Sequence, residues 1–186
     1  MSGDASQEET PCIALIGYRG CGKTVVGRLL AERLGGPFLD TDELIVKRAG
    51  RSIADIFKED GEQGFRDREA ASIIEAIEQR PTVLSLGGGA ILRPEHIDRI
   101  RAAATVIYLS ASPEVLFERT SHDAKTADNR PPLTDREGIE EVRRLLPERD
   151  PLYHRAAHHV IDVSGITPPE VVAQIVSDLK TKERET

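Results

Sequence analysis

The chain has 186 residues, 39% of them hydrophobic and 31% charged, with a formal net charge of −7 and a pI near 5.3. That is enough apolar material for one domain with a real core. The composition speaks against two classes of partner: no basic run is present to suit a nucleic acid, and no apolar run approaches the ~20 residues that span a bilayer. Two cysteines, Cys12 and Cys21, form no CxxC pair, and five histidines show no zinc-like spacing, so neither a redox motif nor a zinc site is expected.

Residues 1–10, "MSGDASQEET", are polar and acidic and are expected to form a flexible tail, not a signal peptide. "CIALIG" predicts a buried strand, and "KTVVGRLLAERLGG" a helix with Val26, Leu29, Leu30 and Leu34 on one face, stopped by glycines. "PFLD" is the next strand. Helical segments follow around "ELIVKRAG", "SIADIFKEDG" and "EQGFRDREAASIIEAIEQ", the last with Phe65, Ile73, Ile74 and Ile77 as its apolar residues. "TVLSLGGG" is a strand running into glycines. "PEHIDRIRAA", "TVIYLS" and "SPEVLFERT" give helix, strand, helix. "SHDAKTADNRPPL" is polar and proline-bearing and predicts a mobile loop over 121–132. A helix is expected over "DREGIEEVRRLLPERD", a last strand at "HHVIDV" and a last helix at "PEVVAQIVSDLK", with residues 181–186 fraying. His158 and His159 sit at the start of that strand and are expected at its edge, not as ligands. Short apolar strands alternating with helices predict an α/β domain over 11–180, a parallel sheet between two helical layers, with ligands at the strands' carboxyl ends.

One motif decides the class. "GYRGCGKT", Gly17 to Thr24, matches G-x-x-x-x-G-K-[ST] between a predicted strand and a predicted helix, the context that a phosphate-binding P-loop requires. Glycines let the backbone N–H groups of Gly20 to Val25 approach phosphate oxygens, and the helix N-terminus adds its positive end. Lys23 is expected to reach the β- and γ-phosphates of ATP and Thr24 to ligate Mg²⁺. Arg19, within the loop, receives no role. No N-K-x-D follows, as a guanine switch would carry, and the strand "TVIYLS" does not end in Asp-Glu as in motor ATPases. Three glycines, Gly87, Gly88 and Gly89, end a strand where close approach to a ligand is permitted.

"FLDTDELI" sets two carboxylates, Asp40 and Asp42, at a strand end. In extended chain they would point the same way and repel unless a cation or polar ligand lay between them. Capping of the following helix by Asp40, Thr41 or Asp42 is the plainer alternative.

The P-loop, "LDTD", "GRSIADIFKEDGEQGFRDRE", "LSLGGGA", "NRPPL" and "ERDPLY" occur in an order and spacing that resembles the shikimate kinase family over roughly Ile13 to Leu179. The resemblance implies a P-loop kinase of the nucleoside-monophosphate-kinase type, a three-layer α/β/α fold on a five-stranded parallel sheet. It implies transfer of the ATP γ-phosphoryl group to the 3-hydroxyl of shikimate, in the cytoplasm, by a monomer. By the same resemblance Arg66 and Arg149 hold the shikimate carboxylate, a planar anion that suits an arginine fork. Asp42 accepts from shikimate hydroxyls and serves as base, Asp40 stands near Mg²⁺, and Gly87, Gly88 and Gly89 present backbone N–H groups. Arg130, the lid arginine, closes on the transferring phosphoryl group, and Arg119 lies against adenine. On the residues alone, Arg66 could instead pair with Asp67 or Glu69, and Arg149 with Glu148 or Asp150. The loop around Arg130 is longer than usual for the family, and "DVSGITPPE" offers no basic residue to the base. A gluconate kinase, which shares the fold, and a non-catalytic nucleotide-binding module are the rival readings.

Overall fold

The computed structural model describes residues 12–122 and 138–183, with His122, Lys182 and Glu183 as backbone alone. Strand β1 (Ile13–Ile16) leads through the glycine-rich loop into α1 (Lys23–Leu34), and β2 (Phe38–Asp40) passes directly into α2 (Thr41–Ala49). Helix α3 (Ile53–Glu78) precedes β3 (Val83–Ser85), a 3₁₀ turn (Ala90–Leu92) and α4 (Pro94–Ala103). Strand β4 (Thr105–Ser110), α5 (Pro113–His122), α6 (Ile139–Ala156), β5 (His159–Asp162) and α7 (Pro168–Glu183) complete the described chain. The five strands run parallel in the order β2-β3-β1-β4-β5. Every residue of β1 and β3 is buried, as strands covered on both faces require.

The main core fills both sides of this sheet with Leu15, Ile16, Leu84, Val106 and Leu109 from the strands and Leu30, Ile73, Leu116 and Ile175 from the helices. Val171, Val172 and Ile175 face inward from α7 as expected, with Val176 and Leu179 half-buried. Ile74, apolar like its neighbours, is exposed, because the inward stripe of α3 passes through Ile73, Ala76 and Ile77. Phe65 leaves the main core altogether. It joins Ile45, Ile53 and Ile56 in a second, smaller cluster built by α2 and the first part of α3.

The two helical segments expected over 52–79 form one run with a break at Gly61, whose φ of 70° and ψ of −177° interrupt the helix. Few residues other than glycine take that conformation. Ion pairs brace the break: Arg51 pairs with Glu59 and with Asp60, and Arg68 Nη2 donates to Asp60 at 2.9 Å. The Arg51 hydrogen bond, with that of Arg68, holds the Asp60 carboxyl below its usual range.

Helix α6 corrects a second boundary. It was expected to stop at Asp150 but continues to Ala156 through Pro147 and Pro151, which leaves two helical carbonyls without their N–H partners. Burial of Tyr153 opposes that loss: its ring is fully buried and stacks on Tyr108 at 4.9 Å. Arg101 Nη1 closes the helix by donating to the carbonyls of Arg155, Ala156 and Ala157. Helix α7 also runs on to Glu183, into the stretch expected to fray. The expected tail over 1–10 and residues 123–132 of the expected loop lie outside the described residues, while Ser121 and His122 close α5.

Because the smaller cluster rests on four buried side chains, one of them carries much of it. Ile56→Ala should lower unfolding stability by about 2–5 kcal/mol. Urea titration reads this as a lowered midpoint; an unchanged midpoint would show that α2 and α3 do not depend on this cluster.

Candidate active site

Three loops leave the sheet at its carboxyl edge. The first is the P-loop between β1 and α1. Gly20 has a φ of 84°, and a side chain there would come within 2.8 Å of the Leu116 carbonyl, so glycine is required. Helix α1 begins after Gly22, with no side-chain cap and no acidic residue in its first turn. That leaves its N-terminus suited to an anion. Lys23 Nζ arches back over the loop, donating to the carbonyls of Gly17 at 2.8 Å and Tyr18 at 3.2 Å, with Cys21 Sγ at 3.7 Å. Cys21 is buried beneath the loop, and Val25 is exposed beside it.

The second loop resolves the pair of aspartates. Asp40 ends β2 in extended conformation and caps α2, its Oδ1 accepting from the Asp42 N–H at 2.9 Å. Its other oxygen, Oδ2, accepts from Thr24 Oγ1 at 2.9 Å. The capping alternative therefore holds for Asp40 without excluding a second role. Asp42 does not point the same way as Asp40, contrary to the extended-chain argument, because the helix begins between them at Thr41. Thr24 and Asp40 form a pair of hard oxygen donors of the kind Mg²⁺ takes. Among the described residues no cluster of three or more His, Cys, Asp or Glu is gathered. A cation here would complete its shell with water and nucleotide phosphates, which is the usual way Mg²⁺ is held.

The third loop carries the glycines. A side chain at Gly87 would come within 2.6 Å of Asp42 Oδ1, and one at Gly89 would collide with the Arg66 guanidinium. Gly88 approaches the P-loop, with the Gly17 carbonyl 3.6 Å from where a Cβ would stand. The run of three thus brings the loop against both its neighbours.

Between the P-loop and the smaller cluster lies a cleft of about 520 Å³, open to solvent, lined by Asp42, Arg66, Glu69, Gly88, Gly89 and Arg149, with Ile53, Phe57 and Phe65 as its apolar wall and Arg19 beside them. Phe57 stacks on Phe65 at 4.6 Å, so Phe65 is both core and wall. Arg66 Nη1 donates to Glu69 Oε2 at 2.8 Å, and Glu69 is 2% exposed. Burial of that carboxylate beside its partner fixes the guanidinium at the cleft. The Glu69 pairing considered from sequence is therefore present, and Glu62 joins it at 3.4 Å. For Arg149 the ion pairs considered from sequence are not formed. Asp150 accepts instead from the Tyr108 hydroxyl at 2.7 Å and Glu148 lies 3.9 Å from Arg144, while Arg149 sits over the Tyr18 ring at 5.6 Å.

Arg119 Nη2 donates to the Val163 carbonyl at 2.9 Å, joining α5 to the loop after β5. His158 and His159 stand at the sheet edge as expected, with His158 Nδ1 accepting from the Val106 N–H at 2.9 Å. Arg130 lies outside the described residues. Sequence reasoning missed two parts of the site. The Tyr153 hydroxyl donates to the Gly88 carbonyl at 2.8 Å, tying α6 to the glycine loop, and Arg19 forms an ion pair with the buried Glu141. Tyr153 lies within "ERDPLY", but nothing in the spacing says which way its ring turns.

The family model described as shikimate kinase matches residues 19–180. The chain belongs to the shikimate kinase family. Shikimate kinases from Rhodopirellula baltica and Paracidovorax citrulli are 42% and 47% identical to it, covering 87% and 80% of this chain and the same shares of their own. A shikimate kinase from Acinetobacter baumannii, solved in complex with shikimate, superposes with a TM-score of 0.88 at 36% identity, covering 94% of this chain and 96% of that one. A gluconokinase from Sinorhizobium meliloti, at 17% identity and a TM-score of 0.53, shares the fold alone. The kinase family explains why a P-loop stands beside a cleft lined by arginines.

All three tyrosines of the chain are buried, and burial raises the pKa of each phenol above its ordinary value near 10. An acid whose pKa is raised by folding stabilises the fold below its unfolded pKa and loses that contribution as pH rises. Stability should therefore fall above about pH 10, and tyrosinate ultraviolet absorbance should appear together with unfolding. Tyrosinate forming at its ordinary pH in the folded chain would contradict this.

Proposed function

We infer that the chain transfers the γ-phosphoryl group of ATP to the 3-hydroxyl of shikimate, giving shikimate 3-phosphate and ADP, in the route to chorismate and the aromatic amino acids. The observation that carries this is a cleft beside the P-loop in which Asp42, Arg66 braced by Glu69, and Arg149 over the Tyr18 ring stand together. Its kinship with kinases of that name supports the same acceptor. Residues 11–180 act as one catalytic unit.

In this reading the P-loop N–H groups from Gly20 to Val25 hold the phosphates, and Lys23 leaves the Gly17 and Tyr18 carbonyls to meet them. Thr24 Oγ1 and the Asp40 carboxylate would hold Mg²⁺, which would neutralise charge on the phosphate oxygens. Arg66 and Arg149 clamp the shikimate carboxylate, and Asp42 with the N–H groups of Gly87, Gly88 and Gly89 orients the hydroxyls. The 3-hydroxyl oxygen bonds to the γ-phosphorus, the bond to the β-phosphate oxygen breaks, ADP leaves, and the hydroxyl proton passes to Asp42. A loose phosphoryl-transfer transition state demands little from a base, so positioning is the larger part of Asp42's work. Arg130 stabilises the transferring group and Arg119 lies against the adenine, whose remaining contacts are backbone or apolar.

The enzyme is proposed to act as a monomer in the cytoplasm. Among the described residues no helix is long and apolar enough to cross a membrane, and the exposed large hydrophobics, Val25, Val46, Ile74 and Val160, lie on four different elements.

A coupled assay of ADP release with shikimate, with gluconate and without acceptor tests the assignment. Release only with shikimate is expected; equal release with gluconate would return the acceptor to the wider kinase class. Arg66→Lys and Arg149→Lys keep the charge and lose the fork, and should lower kcat/KM for shikimate roughly 10- to 100-fold with the KM for ATP unmoved. Asp42→Asn should stay folded and bind ATP but lose about 10²–10⁴-fold in turnover, toward the lower end. Asp40→Asn keeps the cap, since asparagine caps as well as aspartate, and should raise the Mg²⁺ concentration needed for half-maximal rate. Steady-state kinetics across Mg²⁺ concentrations, with thermal unfolding alongside, separates these outcomes; unaltered turnover in Asp42→Asn would remove it from the reaction.

A further inference from the structure

Arg19 stands inside the P-loop, yet its side chain lines the acceptor cleft together with Asp42, Arg66 and Arg149, whereas Lys23 and Thr24 do not line it. Its Nη2 is paired with Glu141 in the first turn of α6. Glu141 is 1% exposed, and a carboxylate so far from water is tolerated only beside a counter-charge. The guanidinium's Nε is also buried, with no hydrogen-bond partner among the described residues. An arginine free to choose would satisfy that donor, so its orientation is imposed by Glu141 and not by its own hydrogen bonding. The pair with Glu141 engages one end of the guanidinium, and the residue also lines the cleft.

Resting on the shikimate reading, we propose that Arg19 is a third positioning arginine for the acceptor's carboxylate, held in place by the buried Glu141. Three guanidiniums then face a planar anion: Arg66 braced by Glu69, Arg149 over the Tyr18 ring, and Arg19 braced by Glu141. Arg19 brings this contact from the loop that also cradles the phosphates. Gly88 lies against that loop, with the Arg19 backbone nitrogen 3.8 Å from where its Cβ would stand. The carboxylate end of the acceptor and the donor phosphates would thus be registered through one stretch of backbone. The ion pair neutralises Arg19 without removing its remaining donors, so the contact adds direction more than net charge.

The test compares shikimate with its methyl ester, which keeps every hydroxyl and loses the carboxylate charge. The unaltered chain is measured first; failure to phosphorylate shikimate at all would overturn the function and this inference with it. If the function stands, Arg19→Lys should reduce the preference for shikimate over the ester, in kcat/KM, by roughly tenfold or more. The KM for ATP should stay unchanged. Glu141→Gln should raise the KM for shikimate with little change in kcat. Because Glu141 is buried beside Arg19, Arg19→Met combined with Glu141→Met serves as the well-packed control, and it should show the same loss of preference. If both acceptors fall alike, or the KM for ATP rises while the preference is intact, Arg19 is a brace of the P-loop and the proposal is overturned.

Discussion

The parallel ladder joining β2, β3 and β1 sets everything at the site. Its register pairs Leu15 with Ser85 and Ser85 with Asp40, so three strands end at one level. The P-loop, the start of α2 and the glycine loop therefore leave the sheet side by side. Thr41 locks this arrangement. Its hydroxyl accepts from the Gly87 N–H at 2.9 Å and reaches the Ser85 carbonyl at 3.4 Å, with the residue fully buried. Reversing one strand would send its loop to the opposite edge, and no site could form there.

On that frame, buried carboxylates do the positioning. Asp40 fastens α1 to α2 through Thr24 and the Asp42 N–H, Glu69 aims Arg66, and Glu141 aims Arg19. Each lies in low-exposure surroundings where an unpaired charge would be costly. Such pairs contribute little net stability compared with apolar residues of the same volume. Their use here is geometric: a guanidinium held from behind loses less freedom when it meets an anion in front. The tyrosines serve the same end with neutral groups, Tyr153 by its bond to the Gly88 carbonyl and Tyr108 by its bond to Asp150, the neighbour of Arg149.

The fold was largely legible because apolar runs and helix stripes repeat with the right periods, and short buried strands alternating with helices admit few arrangements. What failed had local causes. Pro147 and Pro151 argue locally for ending α6, but burial of Tyr153 carries the helix past them.

For the site, the sequence by itself determined the chemistry on offer. Gly17 to Thr24 can hardly be other than a phosphate loop, and the pattern of Asp42, Arg66, the glycines and Arg149 names an anionic, hydroxyl-bearing acceptor once the family is recognised. Those features are legible because they are short-range, or because their spacing is itself the signal. Only the tertiary structure decided which partner each charge takes. Arg149 stands next to Glu148 and Asp150 in the chain and pairs with neither, and Arg19 finds its carboxylate at Glu141, on a helix that follows β4 and α5. Asp40 and Asp42 diverge because a helix starts between them. Charges attract through space, and it is the packing of α6 against the sheet, invisible in linear spacing, that brings Glu141 to the loop after β1.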